Sequence, residues 1–301
     1  MSTDDDRRTH LIERAVARMH TGGLMSPAVL KKELTEELVP TWSSEVVAKP
    51  SDEADKPPEP VLIDESALAR AGMLSREAYS RLAEEFRIVE AKIVRQAFGE
   101  PPSDGVRRSN LILVTSALAG EGKSFISMNM AAGLAIQSGR RVILTDTDTK
   151  PGSLGQRLAA AETPGLLDLV RDRSLDVASL IVKTAVNNLD ILPLGRDAKQ
   201  SSDLFASANF AAALRDLSRR YADRIILLDA PPCLSSSVPH ALVELVGQIV
   251  FVVGACTTQL EDLEAALSLL QACPEIGLLL NKVPLWNAHS FGLYNYPQAL
   301  A

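Results

Sequence analysis

A chain of 301 residues, 46% hydrophobic and 23% charged, is long enough for one full-sized core with appended segments and too apolar to be disordered throughout. Its net charge of −7 argues against general electrostatic attraction to nucleic acid or anionic lipid, and no nucleic-acid partner is expected. Cys233, Cys256 and Cys273 are odd in number and lack metal-ligand spacing, which reads as reduced thiols of a cytoplasmic protein.

From the start, M-S-T-D-D-D is unlike a secretory signal, and no run of about 20 apolar residues follows, so no direct membrane insertion is expected. Leu11, Ile12, Ala15, Val16 and Met19 fall at helical spacing, and residues 1–40 read as an amphipathic helical docking segment. Residues 41–64 read as a linker rich in proline and acid, with K-P-S-D-E-A-D-K-P-P-E-P at its centre. The folded domain is expected over 65–283, and 284–301 as a mobile tail holding Tyr294 and Tyr296. Ser75 is the expected cap of a helix to Phe98, with an apolar stripe of Leu82, Phe86, Val89, Ile93 and Ala97.

Beyond that helix, apolar strands alternate with helices. Strands are predicted at Leu111–Val114, Val142–Thr145, Leu189–Leu194, Ile225–Leu228, Ile249–Val253 and Gly277–Leu280. Helices are predicted over Lys123–Ser138, Leu166–Asp172, Ser202–Tyr221, Pro239–Val246 and Leu260–Ala272. The alternation predicts an α/β fold, a doubly wound and mostly parallel sheet with ligands outside the carboxyl ends of its strands.

Three stretches at those ends carry chemistry. N-L-I-L-V-T-S-A-L-A-G-E-G-K-S, from Asn110 to Ser124, is a buried strand, a glycine-bearing turn and a helix start. Gly120 and Gly122 let backbone N–H groups turn towards an anion at the helix N-terminus. Lys123 can reach the terminal phosphates of ATP and Ser124 can ligate Mg2+; the nucleotide-binding stretch is Ala119, Gly120, Glu121, Gly122, Lys123, Ser124 and Phe125. The usual first glycine of such loops is Ala117 here, which marks a variant form. Asp146 and Asp148 follow one strand and Asp229 another, and carboxylates there call for a cation or donors, which Mg2+ on ATP phosphates supplies.

G-E-G-K-S, the D-x-D at Asp146–Asp148 and the D-x-P-P at Asp229 together resemble, in order, the three signature motifs of the bacterial tyrosine kinases. That family derives from the deviant P-loop ATPases, the MinD/ParA-like superfamily. N-L-D-I-L-P-L-G-R and S-S-D-L-F-A-S resemble the segment between the second and third motifs. L-I-E-R-A at Leu11–Ala15 and E-F-R at Glu85–Arg87 are similar to the exosortase-associated exopolysaccharide subgroup. The resemblance implies that Lys123 binds the β and γ phosphates, that Ser124, Asp148 and Asp229 hold Mg2+, and that Asp146 takes the tyrosine hydroxyl proton. It places Asn281 where related ATPases contact adenine, and a plain turn is an equal reading of that position. It also implies autophosphorylation at Tyr294 and Tyr296, self-association, and a membrane-embedded polysaccharide copolymerase as partner at the inner membrane.

The chain departs from the family in three places. Only Thr149 and Lys150 separate Asp148 from Pro151, the ring-building E-x-x-R-x-x-R reads Glu84, Arg87 and then Glu90, and the tail has only two tyrosines. Two alternatives stand beside a tyrosine autokinase. One is a positioning ATPase, whose second signature lysine would stand where the chain has Leu118. The other is an ATP-binding regulator of polysaccharide export without kinase activity.

Overall fold

The computed structural model describes residues 62–99, 110–160, 163–196 and 202–284. The N-terminal segment, most of the linker, and the tail with Tyr294 and Tyr296 lie outside the described residues.

Eight strands form one sheet in the order β1-β4-β5-β3-β6-β2-β7-β8. In chain order they are β1 (Leu62–Ile63), β2 (Leu111–Ser116), β3 (Val142–Asp146), β4 (Val182–Thr184), β5 (Leu189–Leu192), β6 (Ile225–Asp229), β7 (Gln248–Gly254) and β8 (Ile276–Asn281). Every neighbouring pair is parallel except β4 with β5, which is antiparallel. The helices are α1 (Glu65–Arg70), α2 (Arg76–Phe98), α3 (Lys123–Ile136), α4 (Leu154–Arg157), α5 (Leu166–Arg171), α6 (Val177–Leu180), α7 (Ser202–Phe205), α8 (Ala208–Arg220), α9 (Val238–Leu242) and α10 (Leu260–Ser268).

The strand period of two divides the core between the faces. Leu111, Leu113, Ile226, Leu228, Ile249 and Phe251 pack with α5, α8, α9 and α10. Their neighbours Ile112, Val114, Ile225, Leu227, Val250 and Val252 pack with α1, α2 and α3. The four apolar residues of β2 are at most 1% exposed, so both faces of the central strand must be apolar, which is why it reads as an unbroken run. After β2 the chain enters α3 on one face, and after β6 it enters α9 on the other. The crevice between these adjacent strands, at their carboxyl ends, is the switch point where open α/β sheets bind ligands.

Several details differ from the sequence expectations, among them β4, which was not expected, and the helix expected to Ala272, which ends at Ser268. The sheet begins inside the expected linker: Leu62–Ile63 pairs with β4 and buries Ile63. The strand expected to Leu194 ends at Leu192, before Pro193, which has no N–H for a ladder. The helix expected over 202–221 is two helices, because the Ser207 hydroxyl accepts from Phe210 N (3.1 Å) and caps α8. The helix expected over 239–246 is the shorter α9.

The α2 helix starts after Ser75, whose hydroxyl accepts from Ala78 N (3.3 Å), and Phe86 and Ile93 of its apolar stripe are buried. Arg87 pairs with Glu84 on the surface. Glu90 does not join them: it is 2% exposed and accepts from the Tyr79 hydroxyl (2.7 Å). Burial raises the Glu90 pKa, and the adjoining Gly133 of α3 leaves room for the pair, since a Cβ there would overlap both polar groups.

Candidate active site

The phosphate loop is a turn in which several carbonyls and one inward N–H are tied down. Gly120 (φ +85°) and Gly122 (φ +101°) hold left-handed backbone that other residues rarely adopt. The Ser116 hydroxyl donates to Leu118 O (2.8 Å), and Leu118 N donates to the Glu121 carboxylate (2.7 Å). Asn281 Nδ2 donates to Glu121 O (2.8 Å), and Lys282 Nζ to Gly120 O (2.6 Å). Among the described residues the backbone N–H groups of Gly120, Gly122, Lys123 and Ser124 have no acceptor. Those unspent donors, at the start of the 14-residue α3, fit a phosphate group.

Lys123 is 7% exposed and forms none of the ion pairs among the described residues. Burial lowers its pKa, opposed by the negative charges of Asp229, Asp148 and Glu121. A cation held in that state is strengthened by an added anion. Phe125, by contrast, packs its ring into the α1–α3 core, so only its backbone faces the site.

The three aspartates take different positions. Asp146 and Asp229 are paired across β3 and β6. Asp229 is 1% exposed; Ser127 Oγ donates to its Oδ1 (2.8 Å), and its Oδ2 is buried with no hydrogen-bond partner. Burial raises its pKa, and the hydroxyls of Ser124 and Ser127 and the charge of Lys123 partly offset that. Asp146 is 4% exposed and accepts from Asp148 N (2.9 Å) and Gly155 N (2.7 Å). Burial and then the charge of Asp229 raise its pKa. Asp148 is half-buried and accepts from Lys150 N (3.0 Å), while Lys150 Nζ donates to Ser235 Oγ (3.2 Å).

No group of three His, Cys, Asp or Glu side chains among the described residues forms a metal cage. The donors fit Mg2+ in another manner: Asp229 Oδ2 is unpartnered, the Ser124 hydroxyl lies near the same carboxylate, and Mg2+ is commonly held by one or two protein oxygens with phosphates and water.

Of the residues singled out from sequence, the structure brings together the loop from Ala119 to Ser124, Asp146, Asp148, Asp229 and Asn281. Asn281 donates its side-chain amide to the loop carbonyl of Glu121. Lys282, beside Asn281 in the same stretch, also reaches the loop. Ser127 and Thr258 enter from the structure: Ser127 carries a sequence signal, since one helical turn after Ser124 places both hydroxyls on one face, whereas Thr258 arrives from a distant loop and carries none. Cys233, near the site, is buried and its thiol is pushed up to about 11, which makes it a poor nucleophile.

A family model described as an AAA domain matches residues 109–273. The chain belongs to that family, in its bacterial tyrosine-kinase branch. It is 27% identical over 193 residues to the tyrosine-protein kinase Wzc of Salmonella typhi, covering 63% of this chain and 26% of that protein. It is 31% identical over 178 residues to the tyrosine-protein kinase Ptk of Acinetobacter johnsonii, covering 58% and 24%. The match thus spans about a quarter of the length of these curated relatives. Among solved structures, the VpsO kinase domain is 28% identical with a TM-score of 0.54, covering 68% of this chain and 98% of that one. No described helix is long and apolar enough to cross a membrane.

Proposed function

We propose that this chain is an ATP-dependent protein-tyrosine autokinase that regulates exopolysaccharide polymerisation and export, acting with a membrane-embedded copolymerase and with further copies of itself. The observation that carries the reading is the meeting, at one crevice, of a donor-rich phosphate loop, a buried Lys123 without an ion pair, and a buried carboxylate pair of which one oxygen is unspent. Relatives named as tyrosine kinases support the reaction class. The L-I-E-R-A and E-F-R segments support the export setting.

In this reading the loop N–H groups and Lys123 bind the phosphates and draw off charge as the γ-phosphoryl group transfers. Ser124, Asp148 and Asp229 would hold Mg2+, which neutralises phosphate charge when bound. Asp146, whose pKa burial lifts towards the working range of a general base, takes the proton from the tyrosine hydroxyl as the phosphorus–oxygen bond forms, and ADP leaves. Tyr294 and Tyr296 are the proposed acceptors, supplied by a neighbouring molecule.

The test is incubation of the full chain with Mg-ATP followed by intact-mass and peptide analysis, with Lys123→Ala as control. Phosphotyrosine in the tail of the wild type and none in Lys123→Ala is the expected result. Phosphate released to water with no phosphotyrosine would favour a positioning ATPase, and nucleotide binding without turnover would favour a regulator that lacks kinase activity.

A further inference from the structure

The carboxylate of Glu121 belongs to the phosphate loop, yet it is buried and spent on the chain's own donors. It is 3% exposed and forms no ion pair among the described residues. Two donors satisfy it. Leu118 N donates to Oε2 (2.7 Å), and the Thr258 hydroxyl, 137 residues along the chain, donates to Oε1. The direction of the second bond is fixed by a third: Gly254 N donates to Thr258 Oγ1 (2.9 Å), so the hydroxyl hydrogen is left to point at the carboxylate. Gly254 itself is required by this packing, because a Cβ there would overlap Thr257 Oγ1 and lie 3.5 Å from Glu121 Cγ.

The consequence reaches the loop backbone. With its N–H on Glu121 and its carbonyl on Ser116, Leu118 has both adjoining peptides fixed, and the turn that follows inherits that orientation. Without the Thr258 hydroxyl, the Glu121 carboxylate is buried with one donor, and a buried charge in that state seeks another. Unspent donors in the same loop, the N–H groups of Gly120, Gly122, Lys123 and Ser124, are those needed for phosphate. We propose that Thr258 is a positioning residue for nucleotide phosphates: it holds the Glu121 carboxylate out of the phosphate cradle and thereby keeps the loop N–H groups available. This rests on the nucleotide-binding part of the proposed function and is independent of whether the phosphoryl acceptor is tyrosine.

The test measures binding of Mg-ATP, Mg-ADP and inorganic tripolyphosphate to the full chain, with unfolding of each nucleotide-free variant followed in parallel. Thr258→Val, which keeps shape and removes the hydroxyl, should weaken all three by on the order of tenfold, the worth of a hydrogen bond to a charged group. Thr258→Ser, which keeps the donor, should restore binding to within about twofold of wild type, so a general folding defect at this position is told apart. In a Glu121→Gln background, where no charge needs holding, Thr258→Val should have little further effect on affinity. Wild-type affinity in a folded Thr258→Val variant, or full additivity of the two substitutions, would overturn the proposal. A wild-type chain that binds Mg-ATP but makes no phosphotyrosine would refute the kinase reading and leave this comparison intact.

Discussion

Substituting Gly122 by alanine tests the geometry of the loop directly. Gly122 sits at φ +101°, and a Cβ built on it would overlap Asn281 Nδ2, the atom that donates to Glu121 O (2.8 Å). Two losses follow. Left-handed backbone costs a non-glycine residue about 1–2 kcal/mol. Displacing Asn281 forfeits a hydrogen bond worth about 1 kcal/mol net. Gly122→Ala should therefore lower unfolding free energy by about 2–3 kcal/mol in urea, and it should weaken Mg-ATP binding as well, since the displaced turn carries the phosphate donors. Asn281→Ala alone should lose only the hydrogen bond, and the double variant should be less destabilised than the sum of the two, because the overlap is gone. A Gly122→Ala protein that unfolds at the wild-type midpoint, or two losses that simply add, would refute the clasp of Asn281 on the loop.

Gly133→Ala should destabilise by about 1–3 kcal/mol in chemical denaturation despite alanine's better helix propensity, because the added methyl overlaps the Tyr79 hydroxyl and Glu90 carboxylate. Glu90→Gln should change the pH profile: burial raises the Glu90 pKa above its ordinary 4.5, so the folded state holds more protons than the unfolded one. Its contribution is present below that ordinary value and is lost as pH rises through the raised one, so wild type should lose stability on that limb while Glu90→Gln, read by thermal unfolding, stays flatter. A parallel pair of profiles would show that Glu90 titrates normally.

The parts of the molecule legible in the sequence are those set by local pattern. The central strands read correctly because both of their faces are buried, which leaves a continuous apolar run with a turn at each end. The position of Lys123 and the aspartates followed from their place just after such strands. What did not read was decided across the chain. β4 is three residues long and half-exposed, so no periodicity marks it, and its antiparallel pairing with β5 rests on the tertiary setting. Ser207 ends one helix and begins another through a single hydroxyl, where apolar periodicity runs straight through. Glu90 stands in the sequence where the ring-building motif has an arginine, and the structure turns that side chain inward onto Tyr79.

The two buried aspartates show how similar local sequences are divided between roles. Both end a strand, both are nearly inaccessible, and burial raises the pKa of each. Their remaining valences differ. Asp229 keeps Oδ2 without a partner, and a buried oxygen in that state gains most from a cation. Asp146 has a backbone N–H on each oxygen, from Asp148 and Gly155, with the Ser153 hydroxyl also acting on it, and these fix the plane of the carboxylate. The same bonds stitch both ends of the 148–155 loop over the group. If Asp146 is the base, an incoming tyrosine reaches it beside that loop, whose exposed Lys150–Pro151–Gly152 stretch is held by Lys150 N on Asp148 (3.0 Å), Ser153 N on Lys150 O (3.2 Å), Gly152 N on the Gln156 side chain (2.7 Å) and Lys150 Nζ on Ser235 (3.2 Å).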